Sequence, residues 1–205
     1  MRRRRLTAFA GVYGSVVLGL TSSLVVFRVL GPSGAGRFAI VLGVADFIAL
    51  IVWLTSDDAL VKYGFRYASR GEWGRFHRLL RMAFRFELLT ALFAAALVAA
   101  FAPFSTSVFN GAEGIEVPLL VAALLPPLQA IESISAAALI LRGRYDLRGL
   151  WLTLSMGLRF AGVVIGALNG VTDAVVGVVA AQAVTTASIL AIGLRELRGF
   201  PQAAP

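Results

Sequence analysis

Five charged side chains interrupt runs that are otherwise apolar: Asp46, Arg85, Glu87, Glu132 and Arg159. At the centre of a helix embedded in hydrocarbon such a group costs about 2.5–3.5 kcal/mol on insertion scales, so these are the first residues to test for chemistry. Glu132 lies ten residues before Arg142, and Arg159 eleven residues after Arg148. At a rise of about 1.5 Å per residue both stand about 15 Å from the basic residues that end their helices, near bilayer mid-depth. A short turn joins the two helices. The spacing therefore predicts that Glu132 and Arg159 face each other or share a water-filled cavity. A buried ion pair that only offsets its own desolvation is the alternative. Arg28 either enters that cavity from the far side or snorkels to the interface. With Asp46, Arg85 and Glu87, these residues form the candidate substrate or coupling-ion set.

Other chemistry is poorly supplied. His77 is the only histidine and has no ligand partners at metal spacing. Asp57-Asp58 could hold magnesium, but no further acids or Gly-rich cradle accompany them, and with Ser56 they suit a helix N-terminus. Gly11-Val12-Tyr13-Gly14 lies within a helical pattern and is not a phosphate loop. The absence of cysteine excludes disulfides and thiolate chemistry. The sequence thus gives no catalytic residues, metal site or cofactor, and reads as a protein that is not an enzyme.

The elements that must carry those charges are membrane-spanning. Of 205 residues, 59% are hydrophobic and 15% charged, with a mean hydropathy of +0.84. A soluble domain has about a quarter of its residues charged. The net charge of +8 does not imply nucleic acid, because the arginines stand in short clusters between apolar runs, where they orient a membrane protein. Six runs are long enough to span: 6–30, 38–54, 79–104, 117–141, 150–168 and 171–194. All are expected to be helices. The first is too long for a cleaved signal sequence. Arg2–Arg5, Lys62–Arg81, Arg142, Arg144, Arg148, Arg195 and Arg198 collect on one side; the later loops opposite, 105–116 and 169–173, hold no Lys or Arg. The expected fold is an all-α integral membrane protein of the cytoplasmic (inner) membrane. It is multi-pass, with six transmembrane helices over 1–198, both termini cytoplasmic, and a tail at 199–205.

Gly11, Ser15, Gly19 and Ser23 make a small-residue stripe, as do Gly162, Gly166 and Gly170. A tight Gly/Pro/Ser turn, Arg28 to Arg37, separates the first two spans. Residues 58–78 read as a basic interfacial helix, with Lys62, Arg66 and Arg70 on one face as lipid-headgroup contacts. Pro126-Pro127 fall mid-helix, each opposing a carbonyl four residues back, and form a candidate hinge.

On these residues a family resemblance rests. Leu30-Gly31-Pro32 with Gly36, then Ala59-Leu60-Val61-Lys62-Tyr63, Arg70-Gly71-Glu72 with Arg78-Leu79-Leu80-Arg81, and Arg142-Gly143-Arg144-Tyr145 resemble the polysaccharide-biosynthesis membrane proteins. These are lipid-linked oligosaccharide flippases of the multidrug/oligosaccharidyl-lipid/polysaccharide exporter superfamily. The resemblance implies two six-helix lobes with substrate between them. This chain supplies one lobe, similar to the N-terminal one. A second copy, a separate partner, or a longer parent chain would supply the other.

The resemblance implies translocation of a lipid-linked oligosaccharide or polysaccharide precursor. The expected partners are membrane lipids, the lipid-linked glycan and a second lobe, with no nucleic acid. The resemblance carries over no specific substrate contact; on their own charge and depth, Arg159 and Arg28 would hold an anionic headgroup, and Asp46 or Glu132 would couple the cycle to protons or sodium. A non-transporting scaffold, or a degenerate half-transporter associated with glycan assembly, is the alternative. Multidrug efflux on the same fold is a third.

Overall fold

A computed structural model describes residues 2–52, 57–109, 112–141 and 143–198. Among the described residues every regular element is a helix and none is a strand. The elements are α1 (Arg2–Val52), α2 (Asp57–Ser69), α3 (Trp73–Phe101), a 3-10 turn (Ala102–Phe104), α4 (Ser105–Val108), α5 (Glu116–Ala122), α6 (Leu125–Leu141), α7 (Tyr145–Ala167) and α8 (Val171–Arg198). Five helical stretches are long and apolar enough to cross a membrane: Val16–Val52, Trp73–Val108, Glu116–Leu141, Leu147–Ala167 and Val171–Glu196. Large apolar side chains stand outward on them: Leu24 is 72% exposed, Leu89 66%, Leu150 68% and Ile165 66%. Water would not tolerate so much exposed hydrocarbon, and lipid would. The chain is a multi-pass membrane protein.

Helix α1 is 51 residues long, about 75 Å if straight, more than twice the bilayer core. It is not straight. Gly31 has φ 69° and ψ 175°, a backbone conformation that only glycine adopts readily, and it divides α1 into two arms. The arms double back on each other. The Cβ position of Gly14 lies 3.8 Å from Thr153 near the start of α7, and that of Gly34 lies 3.7 Å from Val171 at the start of α8. Asp46 then returns to the level of Arg159. The expected Gly/Pro/Ser turn is thus one residue wide. Pro32 sits in the first turn of the second arm, where its missing N–H interrupts no hydrogen bond and helix can resume at once.

The basic segment is likewise divided. Helix α2 ends at Ser69, Gly71 (φ 69°) turns the chain, and residues from Trp73 onward already belong to α3. The inner face of α2 is fixed to the bundle by buried Leu60 and by Gly64, which leaves no room for a side chain beside Leu141. Lys62, Arg66 and Arg70 are exposed. The main core lies toward the α7–α8 turn, where Val26, Val41 and Ala45 pack with Val98, Ile115, Leu119, Val163 and Val175. Leu54, Ser56, Arg142 and the tail lie outside the described residues.

Candidate functional site

Four helices converge on one cavity of about 460 Å³. The second arm of α1 contributes Asp46, Ala49 and Leu50, and α6 contributes Gln129, Glu132, Ser133 and Ala136. Arg148, Trp151, Leu152 and Arg159 come from α7, and Gln182 from α8. The local reasons are helical periodicity. Gln129, Glu132 and Ser133 are spaced i, i+3, i+4 and so share a face of α6; Arg148, Trp151, Leu152 and Arg159 do the same on α7. Arg148 and Arg159 are about 16 Å apart along the α7 axis, so the cavity runs three turns into the bundle from the α6–α7 end.

Its acidic wall is hydrogen-bonded. Gln129 stands beside Asp46 on this wall. The Gln182 amide nitrogen donates to Glu132 Oε2 and, at 3.2 Å, to Thr186 Oγ1, while the Thr186 hydroxyl donates to the Leu128 carbonyl at 3.1 Å. The donors diverge from Gln182 on α8, and Glu132 on α6 is the acceptor on one branch. Arg159 acts electrostatically on both Asp46 and Glu132. No ion pair within 4 Å engages it among the described residues. An arginine held near two acids but bonded to neither keeps its planar donor fork available to a phosphate or carboxylate.

The bundle is broken beside this wall. Helix α5 stops at Ala122, Leu124 turns back to the Val121 carbonyl, and Pro126 and Pro127 take the first turn of α6, where proline costs no hydrogen bond.

The sequence-derived residues separate into groups. Asp46, Glu132 and Arg159 meet in the cavity. Glu87 is buried in a smaller pocket that shares Ala49 and Gln129 with it and is also lined by Pro126. Arg85 is exposed on the outer face of α3 and lines neither space. It is two residues from Glu87, about 200° around a helix, so the two cannot face the same way. Arg28 is exposed three residues before Gly31, toward the α7–α8 turn, and does not line the cavity. The His77 Nδ1–H donates to the Trp73 carbonyl, 2.8 Å away within its own helix. No cluster of three metal-ligating side chains occurs among the described residues.

Gln129, Arg148 and Gln182 were not singled out as site residues by sequence. The available signal was polar spacing: Gln182 and Thr186 stand one turn apart in an apolar run, as Gln129 and Ser133 do in α6. Comparison with protein-family models, with curated proteins and with solved structures finds no match.

Proposed function

We propose that this chain is one six-helix half of a transporter that moves a lipid-linked, anionic oligosaccharide across the cytoplasmic membrane. In this reading the two arms of α1 cross separately, both termini are cytoplasmic, and the cavity is the chain's share of the substrate site. The observation that carries it is the convergence of Asp46, Glu132 and Arg159, from three different helices, on one cavity. Charges carried on membrane-spanning helices are expensive, and their grouping around a space marks a path for something polar. A volume of about 460 Å³ falls within the range of small-ligand sites and holds a headgroup rather than a whole glycan. A second half would close over the remainder, and rocking of the two halves would expose the site to each side in turn.

The roles follow from the chemistry. Arg159, with Arg148 nearer the cavity end, receives phosphate oxygens in bidentate contacts. Asp46 and Glu132 balance the arginine charge when the site is empty. The prolines of α6 permit its first turns to shift against α5. The test is Arg159→Ala beside Arg159→Lys in a cell whose surface glycan depends on this protein, with membrane levels of each variant measured. A loss of export of tenfold or more in Arg159→Ala is expected, with drug susceptibility unchanged. Unaltered export removes the cavity from the function; altered drug susceptibility with normal glycan favours efflux.

A further inference from the structure

Arg78, Arg81 and Arg85 form a line along the outside of α3. Their i, i+3, i+7 spacing places them on one face over about 10 Å. All three are exposed, and none makes a hydrogen bond or ion pair among the described residues. No acid lies on that face. Glu72, at the preceding turn, is paired with Arg75 at 2.8 Å, and Glu87 is buried on the opposite side of the helix. One turn beyond Arg85 the same face changes character: Leu89 and Leu92 follow at i+4 and i+7, 66% and 50% exposed, with Met82 (64% exposed) among the arginines.

We propose that this face is a docking site for a membrane lipid bearing two phosphates, its headgroup held by Arg78, Arg81 and Arg85 and its acyl chains lying over Leu89 and Leu92. Charge complementarity requires an anion, and the apolar continuation requires that the anion be joined to hydrocarbon. Three guanidiniums on one rigid helix match two phosphates better than one, since each fork can take two oxygens of a phosphate. Arg85 lies deepest and reaches the headgroup level by extending its stem along the helix. The site stands outside the cavity. It rests on α3 crossing a bilayer and not on the transport reading, so either can fail alone.

The test is native mass spectrometry of the full chain in mild detergent, titrated with cardiolipin, with phosphatidylcholine as the zwitterionic control. Wild type is expected to retain cardiolipin and not phosphatidylcholine. Each single Arg→Gln change weakens retention about fivefold, and R78Q/R81Q/R85Q of the order of a hundredfold. R195Q, at an exposed arginine of α8 away from this face, retains the lipid. Circular dichroism melting of each variant establishes that it is folded, and the single variants decide the matter if the triple one is not. Equal retention by wild type and folded Arg→Gln variants overturns the proposal, as does equal retention of phosphatidylcholine. Displacement of cardiolipin by inorganic pyrophosphate alone would show an anion site without lipid specificity. A change of oligomeric state in place of lipid loss would assign the face to a second copy. Either result also overturns it.

Discussion

One stripe of α7 runs from Arg148 through Trp151, Leu152 and Arg159 to Gly162 and Gly166, and its two halves meet the rest of the bundle in opposite ways. At the glycine end α7 and α8 touch backbone to backbone. A Cβ at Gly162 or Gly177 would run into the other's carbonyl, and one at Gly166 into that of Asp173. At the arginine end the same stripe stands back from α1, α6 and α8 and lines the cavity. Side-chain size along one line of one helix therefore decides where the bundle is closed and where it is open. The closed end is a fixed point. The open end has polar walls tied by side-chain hydrogen bonds rather than by a backbone seam.

Replacing Gly177 by Leu attacks the closed end and should have the largest effect, a loss of about 3 kcal/mol or more, because two backbones must separate. Thermal unfolding in detergent measures it, and an unchanged midpoint would mean the seam is not tight. At the open end Gln182→Ala removes the donor to Glu132. Loss of a hydrogen bond to a charged group predicts about 1.5–3 kcal/mol, read by the same melt. Infrared spectroscopy should also show a changed Glu132 carboxylate band. Thr186→Val keeps the shape but frees the Leu128 carbonyl, for about 0.5–1.5 kcal/mol. Faster labelling of a cysteine introduced at Ser133 would report the loosened wall, against a background free of native cysteine. The smallest effect sharpens the contrast by reversing its sign. A Cβ at Gly157, also in α7, meets nothing within 4 Å, so Gly157→Ala should be neutral or stabilising by up to about 1 kcal/mol.

Much of the cavity was legible in the sequence because depth is additive along a helix. Counting residues from Arg142 and Arg148 places Glu132 and Arg159 at one level, and both line the cavity. Rotation was legible too, but only where angles are compared: Arg85 and Glu87 share a depth and still point apart. Gln182 escaped notice because an amide carries no charge to flag it. Its importance comes from Glu132 and Thr186, fifty residues before it and four after. Counting glycine and proline together predicts a turn over Arg28 to Arg37. Only Gly31 breaks the helix, and Pro32 begins the next.

Hydrophobicity, helical period and the placement of glycine and proline act over a few residues, so the chain by itself determined that it would be helical, where most helices end, and that lipid would surround it. Which stripes face one another is a different matter. It depends on how closely two backbones can approach, a property of pairs of helices far apart in the chain. The fold alone decided that α7 would meet α8 through glycines at one end, leaving Asp46, Glu132, Arg159 and Gln182 around a space at the other.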